Sequence, residues 1–390
     1  MYNGKPQKTI TCKKYEHMKR ILIDMTFIKP ESTAGVFVYA YRFIAGLRKI
    51  DHSRLDFFLL VTFQNIDIIH NKCPGEKLIV LQQKMSKIPH LNGVLNRHRI
   101  SSIIKENAID LFFSPYFSYE SFVISSIPHI AVIHDAQTFI LKKTQKIKGF
   151  LYRVTMKYLM SKVSQFVTIS NFSKENISEI TGINKDKIAV IYNSVDMAPS
   201  QVIDKDVLLK RYILNVNTIQ PYKNLETLIR AFVEIKDEFD HNLIIKGKVS
   251  PYWTNTIVPI IKEHHLEKRV FLFDENISPG QLTYLYEHAD LFVSPSLMEG
   301  FGYTPIEAAM CCVPVITTRE TAIPETTMNL VNYYSPAQSP KALAESMMDQ
   351  LDNYNNQDKL QKISEMYKNE YSVEKQAEKF RNLFEKCFRS

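Results

Sequence analysis

The sequence is poor in the features that mark membrane-spanning and disulfide-rich secreted proteins. It has only five cysteines among 390 residues, an odd number, and just two of them are adjacent. Cysteines so distributed form neither a disulfide framework nor a set of metal ligands. No uncharged apolar run reaches the roughly 18 residues of a membrane span. The lysine-bearing N-terminus lacks the apolar core of a secretory signal. These absences predict a protein of the reducing cytoplasm with buried thiols.

The remaining composition is typical of a globular protein, with 45% apolar and 23% charged residues. The length predicts two or three domains. Charge is divided unevenly, because residues 1–200 hold 28 basic against 15 acidic residues, while residues 201–390 hold 21 against 26. The basic half would suit nucleic acid, anionic lipid headgroups or a phosphorylated acceptor. Solubility alone is the simpler explanation.

Strands of nearly continuous apolar character alternate with helical segments along the whole chain, which predicts parallel sheets covered by helices on both faces. In the first half, strands are predicted at 20–25, 56–63, 77–82, 110–115, 129–135, 165–170 and 188–193. In the second half, strands are predicted at 212–217, 243–248, 269–274, 291–295 and 313–318. Ligands of such sheets bind at the carboxyl ends of the strands.

The segment 295–314, which reads PSLMEGFGYTPIEAAMCCVP, is the most informative about chemistry. A short apolar strand precedes it, a loop with Gly300 and Gly302 follows, and Pro305 stands in the first turn of a predicted helix. Free amides at the helix start, together with the helix dipole, favour a diphosphate, and glycine allows close approach. Glu299 and Glu307 frame this loop, and a carboxylate beside a pyrophosphate site commonly holds ribose hydroxyls. Each glutamate alone is equally well explained as an acidic residue near a helix start.

The Glu-x7-Glu pattern around EGFGYTPIEA, followed by VPVITT, resembles the nucleotide-sugar signature of the retaining glycosyltransferases of family four, which have the GT-B fold. The resemblance covers nearly the whole chain from about Met18. It implies two Rossmann-like domains whose parallel sheets face each other across a cleft, with a C-terminal helix that crosses back to the first domain. The implied reaction is a metal-independent transfer of a sugar from a nucleoside-diphosphate sugar to an acceptor hydroxyl, with retention. No cofactor is expected.

The same resemblance assigns roles to the residues of the glycine loop. Glu307 would bind the ribose, and Glu299 would contact the donor sugar near the reacting carbon. The donor site would be completed by the loop residues Gly300, Phe301, Gly302, Tyr303 and Thr304. The backbone amides of the last three would contact the phosphates.

A second stretch, TIQPYKNLETLIRAF, resembles the family's element in which a basic side chain meets the diphosphate. Lys223 matches that lysine and is the candidate for neutralising the leaving group, although a surface lysine at a helix start is the alternative. Tyr222 and Thr218 stand where the family carries arginines, so one phosphate contact is missing or supplied elsewhere. Lys248, at a strand end, is a further candidate for a phosphate contact or an ordinary surface lysine.

Three more candidates lie in the first half. His134 and Asp135 close a predicted strand and resemble the family's pair, in which the histidine reaches the donor sugar; a packing role is the alternative. The loop after the first strand is glycine-rich in the family, and here only Gly35 remains to approach the phosphates. The Asp-Lys-Asp sequence at 204–206 matches a metal-binding motif but lies in a predicted linker, so no metal site is expected.

The resemblance also divides the chain. We expect a basic N-terminal extension at 1–17, an acceptor domain at 18–200, a donor domain at 207–370 and a C-terminal helix at 371–390 that packs back on the acceptor domain. The final helix, predicted at 372–387, should carry an apolar stripe formed by Val373, Ala377, Phe380, Leu383, Phe384 and Cys387.

Two basic, partly apolar stretches at 84–99 and 142–158 would allow contact with an anionic membrane, although surface helices with a core-facing stripe look the same. The expected partners are a nucleotide sugar and a saccharide or lipid-linked saccharide, without nucleic acid. The setting would be bacterial surface-polysaccharide assembly, at the inner face of the cytoplasmic membrane. A nucleotide-sugar hydrolase or epimerase and a basic binding protein without catalysis are the alternatives.

Overall fold

The first half of the chain forms a parallel sheet in the computed structural model. The structure describes residues 18–29, 35–82, 89–117, 127–134, 158–205, 208, 210–353 and 356–389, without the side chains of 89–95. The predicted N-terminal extension and most of the two basic stretches lie outside these ranges. The sheet has the strand order β3-β2-β1-β4-β5-β6-β7. Its strands are β1 Lys19–Asp24, β2 Leu55–Thr62, β3 Lys77–Leu81, β4 Leu111–Ser114, β5 His129–Val132, β6 Gln165–Thr168 and β7 Ile188–Val190.

The second half repeats this design with a second parallel sheet in the order β10-β9-β8-β11-β12-β13. In both sheets the order reverses beside the first strand, which creates a crevice at the carboxyl ends where ligands of α/β proteins bind. The strands of this sheet are β8 Tyr212–Val216, β9 Asn242–Lys246, β10 Val270–Phe273, β11 Leu291–Ser294, β12 Val315–Thr317 and β13 Asn332–Tyr333.

Helices cover both sheets, and several begin at a residue whose side chain caps the first turn. Ser170, Ser278 and Ser372 each accept a hydrogen bond from a backbone N–H of the helix that they precede, which satisfies a donor with no partner inside the helix. The helices are α1 Gly35–Leu47, α2 Ile66–Lys72, α3 Pro89–Glu106, α4 Asn171–Thr181, α5 Leu225–Ile235, α6 Val258–Glu263, α7 Pro279–Glu287, α8 Tyr303–Met310, α9 Ile323–Thr326, α10 Pro340–Asp352, α11 Gln357–Glu370 and α12 Val373–Cys387.

The last helix crosses back to the first domain, as predicted. Phe380 and Phe384 of α12 are fully buried. The ring of Phe380 packs 4.9 Å from that of Phe43 in α1, and the ring of Phe384 packs 5.2 Å from that of Phe113 in β4. The contact is close because Gly46 faces the start of α12 without a side chain. Among the described residues, no helix is both long enough and apolar enough to cross a bilayer.

We expect Gly46→Ala to destabilise the protein. A Cβ at this position would lie 2.3 Å from the carbonyl oxygen of Val373, so α12 would have to move away from α1, at a cost of about 2 kcal/mol. Gly35→Ala is the matched control in the same helix, since a Cβ there would meet no atom of the described residues within 4 Å. Chemical denaturation measures both changes, and equal stability of the two variants would contradict the assigned packing.

Candidate active site

The glycine loop has the predicted geometry of strand, loop and helix. It follows β11, and α8 begins at Tyr303, with Pro305 in the first turn. Gly302 directly precedes the helix with φ 80° and ψ 66°, a left-handed conformation that residues with a Cβ adopt only under strain. The first N–H groups of a helix have no partner inside it, and Pro305 has none to offer. The amides of Gly302, Tyr303 and Thr304 are therefore the donors at this helix start.

Two of the predicted site residues contact each other at the carboxyl ends of the strands of the second sheet. Lys223 ends a short 3₁₀ turn, and its Nζ lies 2.6 Å from Oε1 of Glu299. The two side chains are only 12% and 17% exposed. The turn and the loop are also joined through the backbone, because the N–H of Leu297 donates to the carbonyl of Tyr222 at 2.9 Å. A mostly buried pair of this kind is poorly screened by solvent, so each charge depends on the other.

The carboxylate of Glu307 lies one turn into α8 and is partly buried. Its Oε2 accepts a hydrogen bond of 2.8 Å from the hydroxyl of Tyr286. Burial raises the pKa of Glu307, and the Tyr286 hydroxyl and the nearby Arg42 guanidinium counteract this rise. The sequence indicated Glu307 but not Tyr286, because no local pattern relates this glutamate to a tyrosine 21 residues before it.

The middle of the loop faces the first domain rather than open solvent. The carbonyl of Gly300 accepts hydrogen bonds from the hydroxyls of Ser170 at 2.8 Å and Ser173 at 3.3 Å. The side chain of Phe301 is only 2% exposed, and its ring packs 5.4 Å from that of Tyr371. Only the backbone of Phe301 is therefore available to a ligand, since its side chain belongs to the core.

His134 lies just after β5, and its protonation state follows from its contacts. Its Nε2 is 2.9 Å from the carbonyl oxygen of Pro115, and a carbonyl only accepts, so Nε2 carries a proton. Burial lowers the pKa of His134 to about 4, so the ring is neutral at pH 7 and Nδ1 keeps a lone pair. The ring of Tyr39 fixes the imidazole edge-on at 4.5 Å. His134 can thus accept a hydrogen bond from a hydroxyl.

The other predicted residues are less clearly engaged. The Nζ of Lys248 donates to the carbonyl of Asp274 at the end of β10. Gly35 begins α1 and is exposed, and none of the described residues has an atom within 4 Å of the place that a Cβ would take, so their packing does not demand glycine there. Asp135 lies outside the described residues, as does Asp206. Within the described part of the chain, no three His, Cys, Asp or Glu side chains are grouped as metal ligands.

A carboxylate from the second domain joins the two halves next to this loop. Glu325 of α9 accepts hydrogen bonds from the backbone N–H groups of Asn171 and Phe172, at 2.7 and 3.1 Å. The Asn171 amide and the Tyr192 hydroxyl also donate to it, at 2.9 and 3.0 Å. The three donors of Asn171 and Phe172 lie at the start of α4, where the helix dipole favours a negative charge, and Tyr192 lies just after β7. No sequence signal links Glu325 to Asn171, which is 154 residues away.

We expect Glu325→Ala to open the cleft, because four donors of the first domain lose their shared acceptor. A charge-assisted contact of this kind is worth about 2 kcal/mol, which corresponds to about a thirtyfold shift between closed and open forms. Small-angle X-ray scattering of the ligand-free protein should show a larger radius of gyration. Glu320→Ala, at an exposed site just before α9, should leave the radius unchanged. Identical scattering from Glu325→Ala and the parent protein would show that this contact does not hold the domains together.

Two family models match consecutive parts of the chain. Glycosyltransferase Family 4 matches residues 33–198, and Glycosyl transferases group 1 matches residues 200–367. The first match includes His134, and the second includes Lys223 and both glutamates. The candidate site residues thus come from both matched regions.

Curated relatives share part of the chain. The serotype-specific mannosyltransferase WbdA of Escherichia coli is 28% identical over 43% of this chain and 23% of its own length. The O-antigen chain mannosyltransferase RfbU of Salmonella typhimurium is 29% identical over 57% of this chain and 63% of its own length. The matched region thus spans less than two thirds of either relative.

The fold has close counterparts among solved structures. Anabaena HepE, crystallised in complex with UDP and glucose, superimposes with a TM-score of 0.66 over 94% of this chain and 100% of its own, at 14% identity. The two parallel sheets and the crossing helix are therefore those of a GT-B protein, as the sequence predicted.

Proposed function

Because this chain belongs to glycosyltransferase family four, we propose that it transfers a sugar from a nucleoside-diphosphate sugar to a hydroxyl of a saccharide acceptor, with retention and without a metal. One observation carries the proposal. The Lys223–Glu299 pair, with Nζ and Oε1 2.6 Å apart, lies at the carboxyl ends of the strands of the second sheet, as does the start of α8. A cation, free amides and two carboxylates thus lie where a diphosphate and its two sugars would bind.

Donor binding would rearrange the ion pair. Cleavage of the anomeric bond leaves negative charge on the diphosphate, which the ammonium of Lys223 and the amides of Tyr303 and Thr304 would stabilise. Lys223 would exchange its carboxylate partner for a phosphate. Glu299 would then be released toward the donor sugar. After this exchange the ammonium would be paired with a phosphate and the carboxylate would accept hydrogen bonds from sugar hydroxyls, which limits the cost of holding both charges in a poorly solvated cleft.

Retention requires the acceptor to attack from the face that the diphosphate leaves. In the proposed mechanism a phosphate oxygen takes the acceptor proton on that face, so no protein nucleophile is needed. Neutral His134 would accept a hydrogen bond from a donor-sugar hydroxyl through Nδ1 and hold the ring in position. Glu299 would orient the sugar from the other domain. The relative closure of the domains, fixed in part by Glu325, would bring these groups together.

The substrates are proposed from relatives. WbdA and RfbU are named mannosyltransferases, and RfbU acts on O-antigen chains according to its name, which supports a hexose donor and a surface-polysaccharide acceptor. HepE contains UDP and glucose, which supports a nucleoside-diphosphate donor. A lipid-linked saccharide at the inner face of the cytoplasmic membrane, with peripheral contact of the protein, fits this assignment. GDP-mannose and UDP-glucose are the first donors to test.

The direct experiment is a thermal-shift screen of GDP-mannose, UDP-glucose and other nucleotide sugars, with and without EDTA, followed by product analysis with a saccharide acceptor. We expect one donor to stabilise the protein in EDTA and its sugar to appear on the acceptor with retained configuration. Release of free sugar at the same rate without any acceptor would instead identify a nucleotide-sugar hydrolase. Failure of every nucleotide sugar to bind would contradict the proposal.

We expect Lys223→Ala to lower kcat by about a hundredfold, because a charge that stabilises the leaving group acts mainly in the transition state. KM should change less than kcat. Lys210→Ala is the control, since this lysine is exposed and lies before β8, at the opposite end of the strand from the site. Steady-state kinetics with the accepted donor measures both. An unchanged kcat in Lys223→Ala would remove this lysine from the leaving-group site.

A further inference from the structure

Tyr286 is a buried tyrosine whose hydroxyl is directed at the carboxylate of Glu307. Its side chain is 0% exposed in α7, and its ring packs 5.6 Å from that of Phe292 in β11. Burial raises the pKa of its phenol well above the usual range, so the hydroxyl stays protonated and donates the 2.8 Å hydrogen bond to Oε2 of Glu307. The ring is held by the core, so the position of the hydroxyl is fixed.

The environment of Glu307 leaves one of its oxygens available. Within the described part of the chain, the hydrogen bonds give Oε2 one donor, Tyr286, and give Oε1 none. The other charged or titratable groups near the carboxylate are Arg42 of α1, Tyr303 of α8 and Cys311 just after α8. Arg42 is itself held by the carbonyls of Ser194 and Asp196, at 3.2 and 3.0 Å. Its guanidinium therefore favours the ionised form of Glu307 from a fixed position across the interface.

We propose that Tyr286 is the positioning residue of the nucleotide site: its hydroxyl holds Oε2 of Glu307 and thereby directs Oε1 at a ribose hydroxyl. This inference rests on the proposed function, because it assigns the ribose of the donor to Glu307. A free glutamate would lose rotamer freedom on binding, whereas a glutamate already fixed by Tyr286 has lost it during folding. The contact thus contributes to affinity although Tyr286 itself does not touch the ligand.

The hydrogen bond also sets the pH range of nucleotide binding. A ribose hydroxyl donates a stronger hydrogen bond to the carboxylate of Glu307 than to its protonated form, so affinity falls when Glu307 becomes protonated. The Tyr286 hydroxyl stabilises the carboxylate and lowers the pKa that burial raises. Its removal therefore raises the pKa of Glu307, and the loss of affinity on acidification begins at a higher pH.

The test is Tyr286→Phe, which removes the hydroxyl and keeps the ring. Isothermal titration calorimetry with UDP, GDP and their 2′,3′-dideoxy analogues, between pH 5 and 8, gives the dissociation constants. We expect the affinity for the nucleotide with an intact ribose to fall by about tenfold and the affinity for its dideoxy analogue to change little. The preference for ribose should therefore shrink. The acid limb of the affinity profile should move to higher pH. Tyr284→Phe, in the same helix with its ring stacked on His288, should change neither quantity.

Glu307→Gln provides a second variant should Tyr286→Phe unfold. An amide does not titrate, so this variant should lose the acid limb and the ribose preference together. If the parent protein binds neither UDP, GDP nor any other nucleoside diphosphate, the proposed function fails. If it binds one of them, but Tyr286→Phe keeps the full ribose preference and the same acid limb, the proposed function stands and the role of Tyr286 is overturned. The role of Tyr286 is equally overturned if Glu307→Gln keeps both properties.

Discussion

The rest of the site depends on the ion pair between Lys223 and Glu299, because two charges that are more than four-fifths buried must always have partners. Without a ligand each side chain is the partner of the other. A diphosphate would replace the carboxylate as partner of the lysine, and the glutamate would then face the sugar. The glycine loop and the short turn before α5 are joined through the backbone, so the pair forms in a preset geometry.

A second carboxylate, that of Glu325, connects the region of the glycine loop to the first domain. Glu325 binds the first amides of α4, while Ser170 and Ser173 at the same helix start contact the carbonyl of Gly300. The start of α4 in the first domain therefore touches both α9 and the glycine loop. The guanidinium of Arg42 lies over the ring of Tyr303, with 5.8 Å from Cζ to the ring centroid. Because Arg42 also donates to the carbonyls of Ser194 and Asp196, the start of α8 is linked to these residues as well.

Local pattern was enough to predict the two sheets, since buried parallel strands read as continuous apolar runs, and to predict the apolar stripe of the last helix. The return of that helix to the first domain was implied only by the resemblance to the family. The resemblance to the family predicted one site for Lys223, Glu299 and Glu307, and the structure pairs the first two. The two-residue strand β13 was not predicted because it is too short for a pattern. The partners Tyr286 and Asn171 were missed because hydrogen bonds between distant segments leave no periodic signal. At 223 the sequence indicated a diphosphate contact or a surface lysine at a helix start, but not the ion pair with Glu299.

The most direct measurement is a crystal structure of the protein with a bound nucleotide, either UDP or GDP or the corresponding nucleotide sugar. The account predicts phosphate oxygens within hydrogen-bond distance of the amides of Gly302, Tyr303 and Thr304. It also predicts that Nζ of Lys223 has moved from Glu299 to the diphosphate, and that a ribose hydroxyl lies on Glu307. A nucleotide bound at another edge of the sheets, with the Lys223–Glu299 pair intact, would contradict it.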